Sequence, residues 1–203
     1  MIFAQENEYS VVLDACVLVP MALCDCLLRL AEEPALYRPL WSEQILREVA
    51  KSLEEDFKRT PQEISWRLDQ MKTAFPEAMV TVPNELVKGV ECIPDPNDRH
   101  VLAAAVMARA NAIVTQNKKH FPEDCVNKFE ILCQSADEFL VHQYHLSWEL
   151  ILDKLDAQAI GIGHTRAVVI ENLRQTAPGF CKKFFIAKPG ATFSISRIPL
   201  TEP

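Results

Sequence analysis

Two short apolar runs, each ending abruptly in polar residues, constrain the fold most: "SVVLD", ending at Asp14, and "NAIVTQN", running into Thr115 and Asn117. Val11-Val12-Leu13 and Ala112-Ile113-Val114 are apolar at every position rather than at alternate ones, as in strands buried on both faces. Such strands need helices above and below them. The intervening segments supply these. "PMALCDCLLRLAEEP" reads as a helix with Pro20 in its first turn and Pro34 ending it. "LWSEQILREVAKSLEEDF" reads as a second, with Ser42 as N-cap and an apolar stripe of Ile45, Leu46, Val49 and Leu53. "TPQEISWRLDQMKTAF" is a third, with Thr60 as N-cap and Pro61 at the first helical position. "AMVTV" and "KFEIL" read as further strands, and "SADEFLVHQYH" as a helix capped by Ser135. Strands alternating with helices predict an α/β fold: a three-layer α/β/α sandwich around a central parallel sheet.

The pattern changes at about Ser147. "SWELILDKLDAQAI" and "HTRAVVIENLRQT" read as two helices, and "ATFSISRIPL" as an edge strand or an arm. The expected organisation is an α/β domain over 1–146 and a helical C-terminal extension over 147–203. Charge follows the same division. The chain carries −7 overall, but from His164 onward six basic residues face two acidic ones. The acidic body excludes a generic basic coat for nucleic acid, though not an enzyme that meets nucleic acid through metal ions. Seven scattered cysteines, most in apolar runs, read as reduced, buried thiols. With no apolar run long enough to span a membrane and no signal-peptide pattern at the start, a cytoplasmic protein is expected. There is no Walker loop or G-x-G-x-x-G to cradle phosphate.

The candidate chemistry is carboxylate chemistry. Asp14 follows a buried strand, and in a parallel sheet ligands gather outside the carboxyl ends of strands. Asn117 follows a second such strand. In "IPDPNDRHVLAAA", Asp95 fits a helix N-cap with Pro96 at the first helical position, which places Asp98 one turn in, at the same rim. Glu48 borders its helix's apolar stripe and could reach over that rim. Each has an ordinary explanation: Asp14 and Asp95 as caps, Asn117 as a turn residue, Glu48 as a solvated glutamate. Their convergence is the stronger signal, because carboxylates gathered at one edge repel unless a cation neutralises them. Oxygen ligands suit Mg²⁺ or Mn²⁺, and with no histidine at ligand spacing zinc is a poor choice. For Asp95 the cap is preferred over catalysis.

"VVLDACVLV", "ILREVAKSL" and "DPNDRHVLAAAVMARANAIVTQNKKHFP" together resemble the PIN domain, specifically the VapC-like ribonuclease toxins of toxin–antitoxin systems, over about residues 9–140. The segment after Ser147 resembles the helical extension of one subgroup. The resemblance implies an endoribonuclease dependent on Mg²⁺ or Mn²⁺, with Asp14, Glu48, Asp98 and Asn117 as catalytic residues and Asp14 and Asp98 as the main metal ligands. Thr115 and Asp95 would support the site. Asn117 stands where many relatives carry a fourth aspartate, which lowers the charge by one. An RNA substrate, an antitoxin protein and homodimerisation are further implications, and no membrane partner is expected. Arg166, Arg174, Lys182, Lys183 and Lys188 of the basic tail could hold RNA phosphates, or could be solvated helix charges. Two other readings compete. One is an inactive PIN-fold module that binds RNA or protein. The other is a phosphatase using Asp14 as nucleophile; its D-x-D-x-T pattern is missing, because Cys16 stands where the second aspartate belongs.

Overall fold

The computed structural model describes residues 9–184. The expected arm "ATFSISRIPL" and the cations Lys188 and Arg197 lie outside them. β1 (Ser10–Leu13) is followed by the single turn α1 (Ala15–Leu18) and by α2 (Met21–Ala31). β2 (Arg38–Ser42) leads into α3 (Glu43–Glu55) and α4 (Pro61–Ala74), and β3 (Met79–Val80) into α5 (Asn84–Gly89) and α6 (Arg99–Ala108). β4 (Ala112–Val114), α7 (Glu123–Val126), β5 (Leu132–Gln134) and α8 (Ala136–Leu146) complete the sheet region. α9 (Trp148–Gly161), α10 (Arg166–Leu173) and α11 (Pro178–Lys182) follow.

All pairings are parallel, in the order β3-β2-β1-β4-β5. This is a three-layer α/β/α sandwich with a helical C-terminal region. Val11, Val12 and Leu13 of β1 and all of β4 are fully buried, as their uninterrupted apolar pattern requires. α6 lies against β1, β2, β3 and β4. Its Ala103, Ala104 and Ala105 are completely buried, and small side chains let the helix sit close to the sheet. The connections β1 to β2 and β3 to β4 run in opposite directions along the sheet, so the right-handed rule for parallel crossovers places α2 and α6 on opposite faces.

The capping signals translate directly. Thr60 with Glu63, and Ser135 with Glu138, form reciprocal capping boxes on α4 and α8, and Ser42 caps α3 by accepting the Ile45 N–H. Elsewhere the structure departs from expectation. The helix starts after Ser42 as its cap requires, but Leu40 and Trp41 just before it belong to β2, a strand between β1 and β3 that was not expected. Pro39 disguises this strand, since proline cannot donate to a ladder. It is tolerated because β3 pairs only with Trp41 and Ser42 and does not reach it. Pro20 is the N-cap of α2 and not part of its first turn. The "AMVTV" strand shrinks to Met79–Val80. The last strand is Leu132–Gln134, because the expected start of "KFEIL" coils into a 3₁₀ turn over Asn127–Phe129, closed by Glu130 at φ 57°.

Ser147 separates α8 from α9. The extension nevertheless shares the core. Ile151, Leu155, Val169, Leu173 and Phe180 are buried in the same apolar cluster as β1 and α2. α9 packs on α2 and α8, and α11 on α8. The buried Lys154 donates to the Glu32 carbonyl at 2.8 Å, and Gln158 to the Ala22 carbonyl at 3.0 Å. Asp137 of α8 accepts the Gly179 and Phe180 N–H groups of α11 at 3.0 and 2.7 Å. Each large side chain buried by the extension contributes about 1.5–3 kcal/mol, so several together exceed a large part of ordinary domain stability, about 5–15 kcal/mol. Truncation after residue 146 is therefore expected to lower or abolish the cooperative urea transition, not to leave a stable shorter domain.

Candidate functional site

The strand order reverses beside β1: the chain first builds outward through β2 and β3, then returns to add β4 and β5 on the other side. The crevice of such a sheet opens at the carboxyl ends of the two strands flanking the reversal. Asp14 and Thr115 occupy these ends. Their backbones continue the ladder, with Asp14 N–H donating to the Val114 carbonyl at 3.1 Å and Thr115 N–H to the Gln134 carbonyl at 2.9 Å. Both side chains therefore start from rigid sheet.

Asp14 is buried and serves as N-cap of α1, its Oδ1 accepting the Ala15 N–H at 2.7 Å. Its Oδ2 accepts the Thr115 hydroxyl at 2.6 Å and the Cys16 thiol at 3.1 Å. A carboxylate offers roughly four lone-pair sites, so three donors leave room for about one further ligand. Cys16 also accepts the Gln116 N–H at 3.1 Å and lies 3.3 Å from Thr115 Oγ1. Burial, reinforced by the charge of Asp14, pushes its pKa up to about 12, so it stays a neutral thiol donor. The Asn117 N–H donates to Thr115 Oγ1 at 3.0 Å, while its side chain lies exposed beside this network.

α6 begins three residues later than expected. Asp98, not Asp95, is its N-cap, and Asp95 instead forms a preceding turn: its Oδ1 accepts the Asn97 N–H at 2.9 Å and its carbonyl accepts the Asp98 N–H at 3.1 Å. Asp98 makes no side-chain cap bond. Its Oδ2 lies 2.8 Å from His120 Nδ1. Asp95, Asp98 and His120 each offer one ligand atom, all within 4.8 Å of one another. Burial raises the Asp98 pKa, the charges of Asp95 and Asp14 push the same way, and the His120 contact pulls it back. Asp14 thus lies near enough for its charge to reach Asp98. The expectation of no histidine at ligand spacing is corrected, because the turn over Lys118–His120 swings an imidazole onto Asp98.

Glu48 is not in this group. Its Oε1 lies 2.7 Å from Nε2 of His100, which is buried on α6 two residues past Asp98, but the pair is out of line for a hydrogen bond. The two carboxylates of Asp95 and Asp98 and the imidazole nitrogen of His120 converge closely enough to fit a divalent cation; oxygen donors suit Mg²⁺ or Mn²⁺, and the nitrogen suits the transition metal better. Sequence reasoning missed His120, Cys16 and His100. Only His120 carried a signal, standing three residues past Asn117 in "TQNKKHFP".

The basic candidates diverge. Arg166 makes two 2.6 Å bonds to Asp156, Arg174 pairs loosely with Glu171 at 3.3 Å, and Lys183 Nζ lies 3.2 Å from His145 Nε2. Lys182 is exposed at the end of α11. The extension still reaches the rim, since the Gln116 side-chain amide donates to the Thr176 carbonyl at 3.1 Å.

A family model described as PIN domain matches residues 10–119. A Mycobacterium tuberculosis protein named "Putative ribonuclease VapC50" is 41% identical over 90 residues, which cover 42% of this chain and 53% of that protein. The chain thus spans about half the length of the curated relative it matches.

Two outcomes follow from the geometry. Thr115→Val removes the hydroxyl on Asp14 at nearly constant shape and is expected to weaken Mn²⁺ binding about 10–100-fold in calorimetric titration. Cys16, held as a thiol, is expected to resist iodoacetamide at pH 8 in the native protein and to react once denatured, as mass spectrometry would read.

Proposed function

Because this chain belongs to the PIN-domain family, we propose that it is a metal-dependent endoribonuclease, the toxin component of a toxin–antitoxin pair. The observation that carries this reading is the convergence of ligand atoms from Asp95, Asp98 and His120 within 4.8 Å of one another, with Asp14 near enough for its charge to act on Asp98; ionised carboxylates so gathered repel unless a cation is shared. Asp14 and Asp98 would be the principal ligands, with His120 and Asp95 beside them. A bound Mg²⁺ or Mn²⁺ would polarise the scissile phosphate and lower the pKa of a bound water. The protein's own groups do the rest. Thr115 and Cys16 fix the Asp14 carboxylate, leaving about one lone-pair direction open. Glu48, held near the buried His100, would accept a proton from the attacking water, and the exposed Asn117 carboxamide would orient it.

The same reading assigns an antitoxin whose basic side chain fills the acidic crevice, a homodimer, and a cytoplasmic location. Among the described residues no helix is long and apolar enough to cross a membrane. RNA would be held by Lys182 and Arg174 more than by Arg166, whose guanidinium already satisfies Asp156.

Purified protein is expected to cleave RNA with Mg²⁺ or Mn²⁺ and not with EDTA. Asp14→Asn and Asp98→Asn should abolish cleavage with an intact circular dichroism spectrum. Glu48→Gln should lower kcat about 10²–10⁴-fold, the usual worth of a general base. Undiminished cleavage by both aspartate variants would overturn the site assignment. Absence of cleavage and of Mn²⁺ binding in the wild type would favour the inactive interaction module.

A further inference from the structure

Two of the seven cysteines are not the reduced thiols expected. Cys92 and Cys125 are joined in a disulfide, with Cα atoms 5.5 Å apart and a separation of 33 positions in sequence. Their placement is informative. Cys92 stands shortly before Asp95 and Asp98, and Cys125 shortly after His120. The bond therefore ties together the two segments whose side chains form the candidate metal site. Neither segment is a strand of the sheet. The first is a series of turns leading into α6, anchored by the buried Ile93, whose carbonyl accepts Arg99 Nε at 3.1 Å. The second is the 3₁₀ turn over Lys118–His120, followed by the buried Phe121. Among the described residues, two bonded side-chain links cross from one to the other: the 2.8 Å His120–Asp98 contact and the disulfide.

The other thiols are poor candidates for redox chemistry. Cys16, Cys24, Cys26, Cys133 and Cys181 are unbridged, and burial raises the pKa of each, which suppresses the reactive thiolate. Cys92 is the more exposed partner of the bridged pair, Cys125 being buried.

We propose that the Cys92–Cys125 bond is a redox clasp on the metal site: closed, it holds the Asp95–Asp98 turn against His120 so that their donors converge on one divalent cation; opened, it lets the two segments separate and loosens that cation. The inference rests on the metal-dependent reading above. Opening is thiol–disulfide exchange with a dithiol reductant. A reductant thiolate attacks the Cys92 sulfur, the S–S bond breaks, and Cys125 leaves as a thiolate and takes a proton. The second reductant thiol then displaces Cys92 from the mixed disulfide, so the reductant departs oxidised and both cysteines end as thiols. Closing reverses these steps with a small-molecule disulfide as oxidant. Metal loading, and any activity that needs it, would follow the thiol redox state of the surroundings.

The test measures Mn²⁺ affinity of the full-length protein, by the paramagnetic resonance signal of free Mn²⁺, before and after dithiothreitol. Reduction is expected to weaken binding about tenfold, the scale of losing support behind a metal ligand, with the far-ultraviolet dichroism unchanged. The doubly substituted protein, Cys92→Ser with Cys125→Ser, should bind like the reduced form and ignore dithiothreitol. Should it not fold, the reduced wild type supplies the same comparison. A denaturing thiol count should give five in the oxidised protein and seven after reduction. Seven thiols before reduction, equal Mn²⁺ affinity in both redox forms, or loss of the dichroism spectrum on reduction would each overturn the clasp. Equal, tight binding leaves the metal site standing, whereas absence of Mn²⁺ binding in either form removes the metal site and the clasp together.

Discussion

The 2.6 Å hydrogen bond from the Thr115 hydroxyl to the Asp14 carboxylate joins the two strands at which the sheet changes direction. Both residues stand where the ladder ends, so their backbones are fixed by neighbouring strands and their side chains by each other. The Cys16 thiol and the Asn117 amide attach to the same pair. What remains of the Asp14 carboxylate points to one place. The crevice is thus organised before any ligand arrives, and the cost of ordering it has already been met by the folding of the core.

Asp98 shows how the second half is obtained. An aspartate at a helix N-cap ordinarily turns its carboxylate back onto the first turn. Asp98 does not, and its oxygen meets His120 instead. The positive end of α6 remains beside a cluster of negative charge. A helix start that gives up local stability in this way, at an Asp98 whose pKa is raised by burial and further by neighbouring carboxylates, supports the cation site proposed above.

Much of this was legible in the sequence because the signals were local. The uninterrupted apolar runs identified β1 and β4, their polar ends placed Asp14 and Asn117 at the carboxyl edge of the sheet, and serine or threonine followed by glutamate three residues on marked α4 and α8. What was missed depended on distant partners. Pro39 hid β2, since only the short reach of β3 makes a proline acceptable there. His120 carries no mark of its own until a 3₁₀ turn points it across 22 residues to Asp98. Cys92 and Cys125 read as separate thiols for the same reason. The start of α6 was misplaced because Asp-Pro-Asn-Asp satisfies the rules for a cap at either aspartate, and tertiary contact with His120 decides between them.

The hydrogen bond between the Gln116 side chain and the Thr176 carbonyl has a different kind of consequence. Gln116 lies between two residues of the rim, while Thr176 lies well beyond residue 119, where the family match stops. The extension is therefore mechanically in series with the crevice. Proteins that share the sheet and its carboxylates but differ in their last helices would hold this rim at different angles. Evolution could then adjust which substrates such a crevice admits by rebuilding a segment that contributes none of its acidic residues.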